Sequence, residues 1–332
     1  MRSLVTGATG FIGSHLAEML KARGHTVRLL VRSEKRLFPE LREGFEVIQG
    51  DVTQSPDELR KAVEGVDYVF HVAGMLFGRS QIEFTRANAH GTRNLLEAVK
   101  TTGGGVLRFL LCSSQAAVGP CEDSRHIVDE TSIPHPVTFY GRSKLLAENF
   151  AREYQKDFPV TIIRPPAVYG PRDKGILEFF KWMSKGYNLQ FGTQEKKFSL
   201  IHGKDLARGM IEASMSDAAA NETFFLSEPE PYSLAWTMEL LRDTLKPSKH
   251  KNMAAPIWAA KALARFNDVL QFITRKPMIP NSDKLRELLP PYWVCSAQKA
   301  KDVFGFETQI PPREGMKETA DWYIKNGWIK VR

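Results

Sequence analysis

MRSLVTGATGFIGSHLAEML, residues 1–20, contains the stretch that decides the fold. Within it TGATGFIG, residues 6–13, spaces Gly7, Gly10 and Gly13 three apart. An apolar run (Leu4, Val5) precedes it, and apolar residues at helical spacing (Ile12, Leu16, Met19, Leu20) follow. A glycine turn from strand to helix presents backbone N–H groups at the helix N-terminus, where the aligned peptide dipoles favour an anion. Glycine also keeps side chains out of the way of a pyrophosphate. Gly7, Thr9, Gly10, Phe11, Ile12 and Gly13 are therefore candidate cofactor contacts. Three glycines also make a tight turn without any ligand, so the surrounding pattern has to decide.

That pattern alternates strand and helix. Leu4–Thr6, Val27–Val31, Phe45–Gln49, Tyr68–Val72, Leu107–Ser113 and Val160–Arg164 read as short, nearly all-apolar strands. Ile12–Ala22, Pro56–Val63, Arg86–Lys100 and Tyr140–Lys156 read as helices between them. Such alternation predicts an α/β Rossmann-type, doubly wound parallel sheet covered on both faces. Beyond Gly170-Pro171 the pattern loosens, and many prolines cut a mostly helical tail. Residues 1–170 are expected to form the dinucleotide-binding domain, with about 199–226 returning to it. Residues 171–198 and 227–332 are expected to form a smaller, mostly helical substrate lobe. In the tail, MAAPIWAAKALARFNDVLQF (residues 253–272) is expected to be a helix buried against the sheet domain; the alternative is an apolar wall facing substrate.

The composition excludes several classes. The 332 residues carry a net charge of +8, but Lys and Arg are scattered among acids with no run of five, which argues against nucleic acid. Cys112, Cys121 and Cys295 have no metal-ligand spacing and read as reduced thiols of a cytoplasmic protein. No signal peptide is expected at the start, no apolar run has the roughly 20 residues needed to cross a bilayer, and no metal is expected.

Two further places suggest chemistry. The second strand ends in Arg32, followed by Ser33-Glu34-Lys35-Arg36, where an acid usually meets the adenosine ribose. A guanidinium there suits a phosphate, which favours NADP over NAD, with Arg32 and Lys35 as contacts. Tyr140-Gly141-Arg142-Ser143-Lys144 puts Tyr and Lys on one helix face, one turn apart. An ammonium there would lower the tyrosine pKa from its usual 10 or so and fit the phenol for proton transfer. Ser113-Ser114 ends a strand at the ligand crevice.

The order of TGATGFIG, Asp51-Val52, His71-Val72-Ala73-Gly74, Ser113-Ser114, YGRSK and RPPAVYGP (residues 164–171) resembles the extended short-chain dehydrogenase/reductase superfamily, which includes the NAD-dependent epimerase/dehydratases. The resemblance runs from residue 3 to about 215. It implies that Ser114 orients a substrate oxygen, Tyr140 is the acid/base, and Lys144 binds the nicotinamide ribose and depresses the Tyr140 pKa. It implies cofactor contacts at Asp51, Val52, Ala73, Gly74, Ser113, Tyr140, Lys144, Pro165 and Val168, and a mainly structural Asn88.

Sugar-nucleotide members of that superfamily carry an Asn where Ala167 stands and an Arg-Asp pair where Phe198-Ser199 stand. Lys196 and Lys197 could partly replace the missing charge. SSQAAVG (residues 113–119), VRLLVR (residues 27–32) and the tail resemble the dihydroflavonol reductase and 3β-hydroxysteroid dehydrogenase branch. The expectation is an oxidoreductase interconverting a secondary alcohol and a ketone, on a small, apolar or aromatic substrate. A nucleotide-sugar epimerase with tightly bound NAD is the alternative, and a non-catalytic dinucleotide sensor a third. Family precedent implies a homodimer.

Overall fold

The computed structural model describes residues 1–103, 105–191 and 194–330. Residues 192–193 and 331–332 of the expected lobe lie outside the described residues. The chain opens with β1 (Arg2–Thr6), α1 (Phe11–Ala22), β2 (Thr26–Val31), β3 (Glu46–Gln49), α2 (Pro56–Val63) and β4 (Tyr68–His71). Next come α3 (Gln81–Phe84), a π-helical turn (Thr85–His90), α4 (Gly91–Thr101), β5 (Arg108–Cys112), α5 (Phe139–Glu153) and β6 (Val160–Arg164). The strands β7 (Ala167–Tyr169), β8 (Tyr187–Phe191), β9 (Lys197–Phe198) and β10 (Leu200–His202) follow, with α6 (Leu177–Ser184) between β7 and β8. After α7 (Gly203–Met215), β11 (Thr223–Phe225) takes the edge of the main sheet beside β6.

The main sheet has seven strands in the order β11-β6-β5-β4-β1-β2-β3, all parallel. The chain winds one way from β1 through β3 and the other way from β4, so a crevice opens at the carboxyl ends of β1 and β4. Strand residues alternate between two layers. Leu110 and Ile163 join a core with α1 and α7, whereas Phe109, Leu111 and Ile162 join one with α2, α4 and α5. Both faces are buried, which explains why these strands read as continuous apolar runs.

The remaining elements are β12 (Tyr232–Ser233), α8 (Leu234–Leu245), β13 (Lys251–Ala255), α9 (Ile257–Thr274), α10 (Ser282–Leu288), β14 (Tyr292–Trp293), α11 (Gln298–Phe304) and α12 (Pro312–Lys325). A third core joins Tyr169, Phe180, Met183, Leu241, Met316 and Tyr323. Ala300 and Phe306, from α11 and the residue pair beyond it, instead pack into the core of the main sheet.

Residues 253–272 depart from the expectation of a buried helix. Lys251–Ala255 is a strand paired in parallel with β8, and the helix starts only at Ile257. Within that helix Ala260, Ala264 and Gln271 are buried, while most of its large apolar side chains face outwards.

Candidate active site

The glycine loop leaves β1 at Gly7, whose φ of +79° is a conformation that side chains resist. The turn closes with Gly10 N–H donating to the Gly7 carbonyl at 2.9 Å. Gly10 is the N-cap of α1; no side chain caps it, and the first turn carries no acid. The helix start is thus left open to an anion. A Cβ on Gly13 would stand 2.4 Å from the Gly7 carbonyl oxygen. Gly13→Ala must therefore move the backbone of the loop, an overpacking cost of about 1–3 kcal/mol. Dinucleotide affinity measured by calorimetry is expected to fall about ten- to a hundredfold, by the same energy scale; unchanged affinity would remove the loop from the binding site. The Phe11 ring packs beside Gly170 and Gly203 and edge-on to His15. Its contribution to an anion is therefore its backbone N–H.

At the end of β2 the Arg32 side chain is 67% exposed, with Asp51 Oδ2 at 3.9 Å. Lys35 is exposed on the next turn. Asp51 uses Oδ1 to accept from Thr53 N–H at 2.9 Å, and Val52 packs into the core beneath α4. These four residues border one end of the crevice.

At the end of β4 a buried row of polar groups links the glycine loop to the catalytic elements. Thr92 Oγ1 donates to the Asn88 carbonyl at 2.6 Å, so it must accept from His71 Nε2 (3.0 Å). His71 Nδ1 then accepts from Thr6 Oγ1 (2.8 Å), which itself accepts from Ala73 N–H (3.0 Å). Burial pulls the His71 pKa down to about 3, aided by the Lys144 charge. The neutral ring is therefore locked in one tautomer. Asn88, on the π-helical turn, holds Met75 by both N–H and carbonyl (2.6 and 3.1 Å) and donates to Ser143 Oγ at 2.9 Å. Gly74 consequently lies against the Lys144 amine.

The expected triad converges from two elements. Ser114 follows β5, where its hydroxyl accepts from Ala116 N–H at 3.1 Å. Tyr140 and Lys144 stand on α5, whose first turn is capped by Thr138 Oγ1 accepting from Gly141 N–H (3.0 Å). Part of the Tyr140 ring stays accessible, but its hydroxyl lies deep. That burial and the nearby Cys112 push the phenol above its ordinary pKa, while the Ser114 hydroxyl acts the other way. Lys144 is buried, which lowers its own pKa, and its Nζ donates to the Cys112 carbonyl at 2.7 Å. The direction set by burial is opposite to the depression expected from Lys144, whose ammonium bonds to the backbone of β5.

The Ser113 hydroxyl, by contrast with that of Ser114, is engaged with another element: it donates to Glu148 Oε1 at 2.6 Å. The fully buried Glu148 is held by Arg164 through two bonds (2.9 and 2.7 Å) and by Arg152 at 2.9 Å. Pro165 ties in through its carbonyl, which accepts from Gln115 N–H at 2.8 Å, and Val168 is half-buried beside the sheet core. Glu148 sits one helical turn past Lys144, a signal that i, i+4 spacing offered and the sequence reading missed.

A cavity opens directly against Tyr140. Leu76, Phe77, Phe84, Pro277 and Ile279 form its apolar walls. The charged residues at its rim are already engaged: Lys284 pairs with Glu287 at 2.7 Å, and Asp283 accepts from Phe139 N–H at 3.0 Å. Asp283 thereby docks the lobe onto the first turn of the catalytic helix. No motif announced Pro277, Ile279, Asp283, Lys284 or Glu287, because they lie over 130 positions beyond YGRSK. Lys196 donates to the Leu288 carbonyl, and Lys197 lies 3.7 Å from Glu195. Phe198 packs in the lobe core, and the buried Ser199 hydroxyl accepts from Cys295 N–H at 3.0 Å.

A parallel sheet in this order, with an open glycine-rich helix start at its switch point and a Tyr-x-x-x-Lys helix beside it, defines an extended short-chain dehydrogenase/reductase. The chain belongs to the NAD-dependent epimerase/dehydratase family, whose model matches residues 3–225. A ceramide reductase of Caulobacter vibrioides is 30% identical over 98% of this chain and 95% of that protein. A 3β-hydroxysteroid dehydrogenase/Δ5→4-isomerase of Mycobacterium tuberculosis is 28% identical over 97% and 90%. The crystal structure of a Thermotoga maritima UDP-glucose 4-epimerase superposes with a TM-score of 0.79, at 24% identity, over 98% of this chain and 99% of that one. The protein is therefore an enzyme of the NAD-dependent epimerase/dehydratase family, whose members include oxidoreductases and epimerases.

Proposed function

We propose that this enzyme reduces the ketone of a lipophilic substrate to a secondary alcohol. One observation carries the reading: the cavity against Tyr140 is walled by Leu76, Phe77, Phe84, Pro277 and Ile279, and of the charged groups lining it Lys284 and Glu287 pair with each other and Asp283 caps Phe139 N–H. A sugar diphosphate needs cations, and Lys284, the cation lining the cavity, is paired with Glu287. The names of the ceramide reductase and hydroxysteroid dehydrogenase relatives agree with this choice over the epimerase alternative.

The residues present fit a dinucleotide, because the N-terminus of α1 at Gly10 has no side-chain cap and no acid in its first turn. A bound nicotinamide would supply the hydride. The α1 N-terminus and its loop would hold the pyrophosphate, Asp51 and Val52 would border the adenine, and Lys144 would meet the nicotinamide ribose. Ser114 hydrogen-bonds the substrate carbonyl oxygen. Tyr140, kept in its acid form by burial, gives its proton to that oxygen as negative charge develops there. Asn88 and Glu148 fix the elements that carry these groups, and the lobe excludes water.

Arg32 and Lys35 support NADPH as the preferred donor, since an exposed guanidinium at the β2 end can fork a 2′-phosphate. Arg32→Ala is expected to weaken NADPH binding about ten- to a hundredfold, the worth of a charge-assisted hydrogen bond. NADH binding should hold within about threefold on the same scale. Fluorescence titration with both cofactors checks this; an equal loss for each would overturn the preference. A panel of long-chain ketones, steroid ketones and UDP-sugars, followed through NAD(P)H absorbance and product analysis, tests the substrate class. Turnover of a UDP-sugar alone would replace the reductase with the epimerase.

A further inference from the structure

The helix α9 presents an apolar face to solvent. Trp258 (73% exposed), Phe266 (64%), Val269 (59%) and Ile273 (69%), with Ala262 between the first two, recur at spacings of three and four and form one stripe. Phe272 (87%) flanks it. The opposite face is the one that packs. Ala260 and Ala264 meet Leu285 of α10, Asn267 donates to the Pro280 carbonyl at 2.7 Å, and Asp268 holds Ser282. Gln271 donates to the Arg79 carbonyl at 3.2 Å. The exposed stripe is thus not a packing face turned the wrong way; the helix already has its seat.

Charge indicates what covers the stripe. From Lys246 to Lys276 the sequence holds seven Lys and Arg (246, 249, 251, 261, 265, 275, 276) and a single acid, Asp268. That acid is engaged with Ser282. The segment therefore carries +6 of the chain's net +8. Among the described residues, none of the seven cations forms an ion pair. Lys261 and Arg265 lie beside the stripe on α9, and Arg275 and Lys276 follow its end. The adjoining strand adds interfacial aromatics: β13 pairs with β8, where Tyr187 meets the exposed Trp182 edge-on at 6.1 Å, and Lys185 lies 5.8 Å over the Trp182 ring.

Apolar stripe, flanking cations and exposed tryptophans together are the composition of a helix lying in the plane of a lipid–water interface. No helix among the described residues is long and apolar enough to cross a membrane. We propose that α9 docks the enzyme on an anionic membrane surface, with Trp258, Phe266 and Ile273 in the acyl boundary and Lys261, Arg265, Arg275 and Lys276 on the headgroups. Pro277 and Ile279, just beyond the helix, line the cavity against Tyr140. A lipid-soluble ketone would therefore reach the site from the bilayer; this consequence rests on the function proposed above, whereas docking itself does not.

The full-length protein is sedimented with vesicles of phosphatidylcholine alone and of phosphatidylcholine with phosphatidylglycerol. Binding to the anionic vesicles is expected to be at least about tenfold tighter, given about 1 kcal/mol per basic residue near the surface. Phe266→Glu/Phe272→Glu should lower that binding about tenfold or more, with melting temperature and NADPH affinity unchanged. Lys261→Glu/Arg265→Glu should remove the preference for anionic lipid. Equal binding to both vesicles, no binding to either, or full binding by the Phe266→Glu/Phe272→Glu variant would overturn the proposal. A concentration-dependent doubling of mass abolished by Phe266→Glu, without vesicle binding, would assign the stripe to a second copy of the chain instead. A vesicle-bound protein inactive on every ketone would sink the reductase reading and leave the docking in place.

Discussion

Replacing Tyr140 with Phe lowers turnover by about 10²–10⁴-fold, the usual worth of a positioned proton donor, while NADPH affinity stays within about threefold. The substitution removes one hydroxyl and keeps the ring that contacts Phe84 edge-on and walls the cavity. A purely structural role would therefore leave the rate unchanged. The pH dependence sharpens the test. Burial holds the phenol above its ordinary pKa of about 10, so it stays protonated across the neutral range. Ketone reduction should then be flat from about pH 6 to 9, because the acid form is fully populated below its pKa. Alcohol oxidation, which needs the base form, should rise about tenfold per pH unit over the same range. Steady-state rates in both directions check this, and a reduction rate falling steadily from neutral pH would show that another group supplies the proton.

Arg164→Ala is expected to destabilise the protein by up to about 3 kcal/mol, as measured by the urea midpoint, because it leaves a buried carboxylate with only the half-exposed Arg152 as counter-charge. Glu148 is fully buried behind Ser113, and burial alone would push its pKa up. The bonds and charge of Arg164 more than reverse this, with Ser113 and Arg152 helping, so the carboxyl is held below its ordinary value. In the wild type this contribution is present above the unfolded carboxyl pKa and lost as pH falls through the lower folded one. Without Arg164 the sign reverses: burial raises the folded pKa, and the penalty grows as pH rises above about 4.5. The loss should therefore be larger at pH 8 than at pH 5. Glu148→Gln/Arg164→Met, which leaves no lone charge, should recover part of the stability. An equal loss at both pH values would show that lost packing over Phe225, not the stranded charge, dominates.

The parallel sheet was legible because strands buried on both faces must be largely apolar, as Phe109–Cys112 is throughout and Val160–Ile163 is but for Thr161. The loop from Gly7 to Gly13 and the Tyr140–Lys144 pair were legible because their chemistry is written at fixed local spacing. Ser113 and Ser114 were legible as a pair at the end of β5, but the bond from Ser113 to Glu148 was not, because Glu148 lies on another element. The burial of Tyr140 was likewise not legible, because spacing carries no information on desolvation. Pro277, Ile279 and Asp283 were invisible: they reach the site by tertiary packing alone. The α9 stripe was read as core because an apolar pattern does not say whether water or lipid faces it.

The Asp283 bond to Phe139 N–H has a consequence for synthesis. The two residues are 144 positions apart. At roughly 5–20 residues per second, a ribosome adds Asp283 some 7–30 s after Phe139. During that interval the nascent sheet, with α7 and β11, can bury both its faces, yet the catalytic helix lacks its clamp and Tyr140 lacks two walls of its cavity. A chain translated through α7 and β11 can thus hold the dinucleotide fold without the reactive site. Competence to turn over substrate is reached only when the last third of the polypeptide has emerged.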